Sequence, residues 1–580
     1  MSNALKSLLV KLPAQHLVPD SAVSRPARFR PALLAAGLSA VLFYVSFFPA
    51  NQGWCAWFAL VPMLVLIRSP ISTRLAALAA FLVGLPVWWI TLQWVRVAHP
   101  MMYAAWIALG FYCSIYPAFA VWLLRRLDRL PGVPLTLSLP VVWISLEYLR
   151  AHFVWGFAWY FLGHSQHDYL PMIQVTDLGG VYAVSFLVAA VNGALFELLC
   201  RWARFRSVVR IPSIQKPVAI PAALVVLLLA GALGYGFWRI GQTNFANGPT
   251  VALLQSNIDQ GTKSARNNDA PPSAETPSQR MLGHMAGLTE AARRQPADLM
   301  IWPETTCPYD WIDVAPNAQL PANLDEVVAD RRDMAKMIAA YSSTNVLIGL
   351  NAEEFTASQR SDRYNSALLI DRAGRPLGRY DKMHCVPFGE YIPMRRTCPW
   401  MSVFSPYKND YSLTPGSHWT RFTLPTSRGD FHFGVIICYE DSDPLLAREY
   451  ALPDGDQPPV DFLVNISNDG WFDGTEEHEQ HLAICRFRAI EARRSVARAV
   501  NMGISAVIDG NGKIVALSGP SWHAAKKVAT TVTAMVPIDR RASLYARLGD
   551  WLPAGCVALG LLGLITGAAR RKAPGSPEKK

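Results

Sequence analysis

Seven apolar runs, at residues 32–49, 54–67, 75–95, 101–124, 138–159, 177–199 and 217–238, precede a long polar region, and an eighth at 550–569 follows it. Most approach or exceed the roughly 20 residues that a helix needs to cross a bilayer. The chain is therefore constrained first to build a helical bundle of eight membrane spans. The second run is short, as a tilted or partly re-entrant segment would be. Proline within runs such as FLVGLPVWWI is compatible with membrane helices, because neighbouring helices re-satisfy the freed backbone groups. At 580 residues the chain exceeds one ordinary domain. Its 19 Trp and mean hydropathy of +0.18 are apolar for a soluble protein, yet the polar region 240–549 is long enough to form a water-soluble domain of its own.

The net charge is +11, but the basic residues sit in short clusters between apolar runs, so topology explains them better than nucleic acid does. Arg25, Arg28 and Arg30 precede the first span, Arg68 and Arg74 lie between the second and third, and Arg125, Arg126 and Arg129 follow the fourth. Arg201, Arg204, Arg206, Arg210 and Lys216 follow the sixth span, and Arg570, Arg571 and Lys572 the last. All fall on one side if eight spans are correct, while the opposite-side loop 160–176 has no Lys or Arg and the loop after the third span has only Arg96. The positive-inside rule then makes both termini cytoplasmic and region 240–549 extracytoplasmic. The first thirty residues lack a short apolar core followed by a small-residue cleavage site, so the first run is expected to be a retained helix. The expected divisions are a cytoplasmic segment 1–30, a membrane domain 31–239, an extracytoplasmic domain 240–549, an eighth helix 550–569 and a cytoplasmic tail 570–580.

Glu147 and Arg150, three residues apart in the fifth span, share a helix face. Ionisable residues at membrane depth face a bundle interior or an aqueous cavity. A structural ion pair and a lipid- or substrate-binding role are both open. Trp155, Trp159 and Tyr160 suit the membrane interface, and His164 and His167 are not spaced with other ligands as a metal site would require.

Within the polar region, TVALLQSNID reads as a strand and loop, and residues 260–280, rich in Ser, Pro, Asn and Ala, as a flexible surface segment. Strands and helices then alternate: RMLGHMAGLTEAARR (helix), ADLMIWPE (strand), LDEVVADRRDMAKMIAAYSS (helix), VLIGLNAEE and YNSALLIDRAG (strands), FHFGVIICYE and DFLVNISN (strands). EHEQHLAICRFRAIEARRSVA reads as a helix and SAVIDGNGKIVAL as a hairpin turning at Asn511-Gly512. Such a mixture predicts layered sheets and helices. Five cysteines fall here, Cys307, Cys385, Cys398, Cys438 and Cys485. The odd count leaves at least one thiol unpaired in an oxidising compartment; Cys385 and Cys398 could pair, and no Cys/His spacing fits zinc.

The segment FGVIICYED would bring Cys438 to the C-terminal end of a buried strand. MIWPETT places Glu304 after another strand, and RYDKMHCVPFGEYIP supplies Lys382 and Glu390 in a Pro/Gly-rich loop. Taken singly, Cys438 could be core, Lys382 a solvated charge and Glu304 a helix-cap neighbour. In order, WPE, DKxHxVPFGE, ICYE and NISNDGWF resemble the nitrilase (carbon-nitrogen hydrolase) superfamily, whose sites use a Glu–Lys–Cys triad. Combined with eight spans, and with HLAICRFRAIEARRSVARAVNMGISAVID and SLYARLGDWLP, the chain is similar over nearly its whole length to the apolipoprotein N-acyltransferases.

The resemblance implies an αββα sandwich domain carried by the membrane bundle. It implies Cys438 as nucleophile, Glu304 as base and Lys382 as oxyanion stabiliser, helped by backbone N–H groups near Tyr439. Glu390, Tyr439 and Glu440 would support them, and Asn468, Asp469, Trp471 and Phe472, with Glu147 and Arg150, would line or support substrate sites. It implies a bacterial cytoplasmic (inner) membrane enzyme acting without cofactor or metal, expected as a monomer. Its donor would be a phospholipid acyl chain and its acceptor the α-amine of a diacylglyceryl-cysteine on an apolipoprotein, acylated by ping-pong transfer through a cysteine thioester. Many relatives carry Trp after the lysine of the first long loop, where this chain reads QGTKS (Gln260 to Ser264); that bears on lipid contact by the loop. Asn468-Asp469-Gly470 replaces the common Asn-Asp-Ala. A membrane-tethered amidase would need only one or two spans, and a transporter or scaffold would not need an intact triad.

Overall fold

The computed structural model describes residues 25–213, 216–265, 267, 275–315, 324–356, 361–405 and 411–572. The membrane part contains α1 (Arg25–Val45), α2 (Thr73–Thr91), α3 (Met102–Leu127), α4 (Leu135–His152), α5 (Val181–Leu199) and α6 (Ala219–Gly241), completed by the C-terminal helix Trp551–Lys572. Among the described residues, five helices, 73–91, 102–127, 181–199, 219–241 and 551–569, are long and apolar enough to cross a bilayer; Phe29–Val45 and Gly53–Arg68 are shorter apolar helices. The second run is broken into turns at Gly53–Cys55, Ala56–Ala59 and Val61–Arg68, and is largely buried inside the bundle. Lipid-facing character shows in the large exposed side chains of the outer helices, among them Leu34, Phe111, Ile220, Leu227 and Leu562.

The fifth span differs from the sequence reading. Its helix stops at His152, and Val154, Trp155, Gly156 and Tyr160 take left-handed conformations that turn the chain into a buried loop. Glu147 and Arg150 form no ion pair with each other. Glu147 accepts from Trp143 Nε1 (2.9 Å) and Leu162 N (2.6 Å), while Arg150 donates to Tyr160 O (3.2 Å). At the opposite end of the bundle, Arg68 pairs with Asp128 (3.0 Å) and Glu197 (2.5 Å), and Lys216 with Asp128 (2.8 Å). The ends of four apolar runs thus meet at one face of the bundle.

The polar region folds as two sheets. The first has the order β13-β1-β2-β4-β5-β6, with β3 also on β4: β1 (Ala246–Gln255), β2 (Leu299–Ile301), β3 (Trp311–Val314), β4 (Asn345–Phe355), β5 (Ser361–Ile370), β6 (Pro376–Asp381) and β13 (Thr530–Ile538). The second has the order β12-β11-β10-β9-β8-β7: β7 (Arg421–Thr426), β8 (Gly429–Ile437), β9 (Phe462–Asn468), β10 (Ser495–Asn501), β11 (Ala506–Ile508) and β12 (Ile514–Leu517). Alternation along the strands sets the layers. Val251 and Leu253 of β1 meet Val435 and Ile437 of β8 in the core between the sheets. Ala252 and Leu254 face α7 (Pro277–Ala292) and α8 (Leu324–Ser342). Ile436 faces α9 (Glu477–Ala492) on the other side. Four layers, αββα, result.

Several boundaries depart from expectation. α9 ends at Ala492 because Arg493 turns left-handed (φ 47°), so Ser495 onward belongs to β10 rather than to the helix. The segment 260–280 begins as a helical turn, Gln260–Ser264, capped by Asp259, and its end enters α7; residues 266 and 268–274 lie outside the described residues, as do 1–24 of the expected N-terminal segment. All nine cysteines are free thiols, so the Cys385–Cys398 pair left open above is not formed.

Every residue of α9 is buried. Leu482, Cys485 and Ala489 pack on the second sheet, whereas Ile484, Phe487 and Ile490 pack into the membrane bundle. A helix apolar on opposite faces belongs between two bodies. Beside it, Asp177 of the bundle accepts from Arg493 (2.6 and 2.8 Å), from Arg239 Nε (2.8 Å) and from Tyr235 Oη (2.8 Å). Asp177→Asn would leave two buried guanidinium groups without their carboxylate, a loss of about 3–5 kcal/mol. The expected outcome is a lower melting temperature in detergent and faster tryptic cleavage; an unchanged melting curve would refute this role.

Candidate active site

Cys438 follows the last residue of β8 and holds φ at 53°, a left-handed conformation rarely adopted by a non-glycine residue. Such strain at a strand end is sustained by its surroundings. The strongest anchor is Glu440, fully buried two residues on. It accepts from Ile437 N (2.6 Å), Met383 N (2.6 Å), His384 N (3.0 Å) and Tyr380 Oη (2.9 Å). One carboxylate therefore ties the cysteine turn to the loop that carries Lys382.

Lys382 donates to Glu390 (2.9 Å) and lies 3.5 Å from Glu304 Oε1. Asn365 of β5 joins the two acids, donating to Glu304 Oε1 (2.6 Å) and Glu390 Oε1 (2.9 Å). Glu390 Oε2 accepts from Val386 N (2.7 Å). Glu304 Oε2 is buried and has no hydrogen-bond partner among the described residues, so this oxygen has a lone pair free for a proton. Burial works against the Lys382 ammonium, but Glu390 and Glu304 outweigh it and hold it well above its ordinary range. Burial and the Glu304 charge push the Cys438 thiol well above its own, with Lys382 opposing. The resting site is thus a thiol beside a free carboxylate oxygen and a fixed cation. That arrangement can pass a proton from sulfur to Glu304 as the sulfur attacks.

Behind Cys438 lies a second charged cluster. His481 is bound by Asp441 (2.9 Å) and Asp469 (3.0 Å), and Arg498 by the same two acids (3.1 Å each). Burial works against the imidazolium, but Asp441 and Asp469 push it up to about 10. The ligand atoms of Asp469, Glu477 and His481 lie within 4.8 Å of one another, and Arg498 supplies a cation to Asp469 there.

The structure brings Glu304, Lys382, Glu390, Cys438, Tyr439 and Glu440 together. Asn468, at the end of β9, donates to Gln260 Oε1 (3.1 Å) and fixes the loop over the site. Trp471 is half-buried on the turn that follows, and Phe472 meets Trp94 of the bundle edge-on at 4.9 Å. Glu147 and Arg150 stand apart, lining an apolar cleft within the bundle. Their link to the site is the loop they hold, whose Trp159 stacks on Tyr439 at 6.3 Å and 5°. Sequence reasoning missed Asn365, which no motif marks, and Lys263, assigned to a surface segment. Lys263 instead donates to Glu304 O (3.0 Å) and Thr305 Oγ1 (2.8 Å); a lysine four residues beyond the N-capping Asp259 was the available signal.

Residues 39–194 match the family profile described as apolipoprotein N-acyltransferase N-terminal domain, and residues 250–543 that described as carbon-nitrogen hydrolase. An apolipoprotein N-acyltransferase of Geobacter metallireducens is 32% identical over 90% of this chain and 93% of its own length. One from Chromobacterium violaceum is 30% identical over 94% and 96%. The chain belongs to the apolipoprotein N-acyltransferase family. Its polar region is the nitrilase-like α/β domain of that family, and its apolar helices are the membrane part. Among solved structures, an amidase from Nesterenkonia sp. is similar over 53% of this chain and 99% of its own, at 17% identity and a TM-score of 0.34. The fold assignment rests on the two-sheet topology and the carbon-nitrogen hydrolase match.

Because the Glu304 charge raises the Cys438 thiol, Glu304→Gln is expected to lower its titration while abolishing proton transfer. Iodoacetamide alkylation of Cys438, followed against pH, should shift to lower pH in this variant. A shift to higher pH would show that Glu304 stabilises the thiolate instead.

Proposed function

We propose that this protein transfers an acyl chain from a phospholipid to the α-amino group of the N-terminal diacylglyceryl-cysteine of apolipoproteins. The observation that carries this reading is the constellation of Cys438, Lys382 and Glu304, with Glu304 Oε2 unpartnered, in a chain of this family. The bundle is proposed to have eight spans over 31–239 and 550–569 in the bacterial cytoplasmic membrane. Both termini would be cytoplasmic and domain 240–549 would lie on the periplasmic side, with the protein acting as a monomer.

In the first half-reaction Glu304 takes the Cys438 proton as sulfur attacks the ester carbonyl, at the sn-1 position in this proposal. Lys382 and a backbone N–H near Tyr439 stabilise the tetrahedral oxyanion. The ester C–O bond breaks, the proton passes from Glu304 to the leaving glycerol oxygen, and a lysophospholipid departs, leaving a thioester. In the second, the neutral α-amine attacks that thioester and gives its proton to Glu304. The C–S bond breaks, the proton returns to sulfur, and an amide remains. Glu390, with Asn365, orients Lys382 and Glu304, while Glu440 and Tyr439 shape the cysteine turn. Asn468, Trp471 and Phe472 are proposed to border the bound lipids. Glu147 and Arg150 are proposed to border acyl chains in the cleft of the bundle. Placing the thioester against lipid limits its hydrolysis. No step calls for a cofactor.

Two-substrate kinetics test the reading. Parallel lines in double-reciprocal plots of phospholipid against a diacylglyceryl-cysteine peptide are expected. Lys382→Met should lower kcat by about 10²–10³-fold, the scale for loss of one oxyanion contact, and Cys438→Ser should give no N-acyl product. Intersecting lines, or an active Cys438→Ser, would overturn it.

A further inference from the structure

The site holds a cation that the proposed transfer does not use. Lys263 stands on the helical turn Gln260–Ser264, whose N-terminus is capped by Asp259 accepting from Thr262 N (2.9 Å). The turn is pinned at two further points. Asn468 donates to Gln260, and Asn501 both accepts from Ile258 N (2.8 Å) and donates to Ile258 O (2.8 Å). The ammonium is thereby placed beside the triad, donating among the described residues only to the carbonyl of Glu304 and the hydroxyl of Thr305.

Its charge is not matched. Lys382 faces Glu390 and Glu304, and His481 and Arg498 face Asp441 and Asp469, whereas Lys263 has no carboxylate within 4.0 Å among the described residues. Two of its three N–H groups are used, and one remains. Burial lowers this ammonium to about 8, the direction expected of a cation without a partner; the Glu304 and Cys438 charges only partly offset it. A half-buried ammonium with an open donor beside a nucleophile fits an anionic oxygen of the substrate.

We propose that Lys263 contacts the phosphodiester of the phospholipid donor and so acts in the loading half-reaction alone. This rests on the reading above, in which Cys438 attacks an ester of a glycerophospholipid. The glycerol backbone then keeps the phosphate close to the reacting carbonyl, where Lys263 stands beside Glu304 and Thr305. The diacylglyceryl-cysteine acceptor has no phosphate, so its attack on the thioester makes no demand on this charge.

The two half-reactions are measured separately on the full-length protein in mixed micelles. Loading is the rate of Cys438 acylation from phosphatidylglycerol carrying labelled palmitate. Discharge is the rate at which pre-acylated enzyme transfers to a diacylglyceryl-cysteine peptide. Lys263→Met should raise the KM for loading about tenfold or more, as expected for loss of a charge-assisted contact, with little change in loading kcat. Discharge should stay at the wild-type rate, and Lys263→Arg should recover most of the loading KM. Melting curves of both variants report folding. Equal slowing of loading and discharge, a fall in loading kcat at constant KM, or no change in either would overturn the phosphate contact. Wild-type enzyme that fails to load would overturn the proposed function instead.

Discussion

Lys382 is buried to 1% side-chain exposure, and an ammonium there is stable only because two carboxylates face it. That constraint shapes the site. Glu304 arrives from the end of β2 and Glu390 from the loop after β6, and Asn365 of β5 bonds both so that they converge on one cation. The ends of β2 and β6 and the middle of β5 are thereby locked together. Glu440 fastens this assembly to Cys438 of the second sheet through Met383, His384 and Tyr380. Cys438, Glu304 and Lys382 are positioned by buried hydrogen bonds rather than by loops free to choose a geometry.

The same logic extends into the membrane part. α9 buries one face on the second sheet and the other in the bundle, and Asp177 gathers Arg239 and Arg493 across the boundary. The loop after α4, its far end held by Arg150 at Tyr160 O and by Glu147 at Leu162 N, lays Trp159 against Tyr439. A continuous aromatic cluster, including Trp88, Trp94, Trp159 and Tyr439, therefore runs from the bundle to the residue after Cys438. For chemistry on lipids, this contact is the physical reason to join a nitrilase-like domain to a membrane bundle.

Much of this was legible in the sequence, for identifiable reasons. Long apolar runs and period-two strands carry strong local signals, so β1, β4, β5, β8, β9, α7 and α8 were found within a few residues. The triad residues lie in motifs whose spacing survives translation into geometry. The misses have physical causes. The helix read through 477–497 broke at Arg493 because its side chain is recruited by Asp177, a contact with no local trace. β10 was hidden behind that helical pattern. The fifth span ended early because Arg150 and Glu147 bond the returning chain rather than each other. Segment 260–280 reads as a flexible surface segment because composition describes it on average, whereas the placement of Lys263 within it depends on Asn468 and Asn501 far along the chain. Asn365 sits in a strand where only its partners distinguish it from a half-buried polar residue.

The central claim is that the acyl chain rests on Cys438 between donor and acceptor. The most direct measurement is intact-protein and peptide mass spectrometry of enzyme given labelled phospholipid with no acceptor present. A labelled acyl adduct on the peptide containing Cys438, cleaved by neutral hydroxylamine and accompanied by an equal amount of lysophospholipid, is the expected result. Lysophospholipid that appears only after acceptor is added, with Cys438 unmodified throughout, would contradict it.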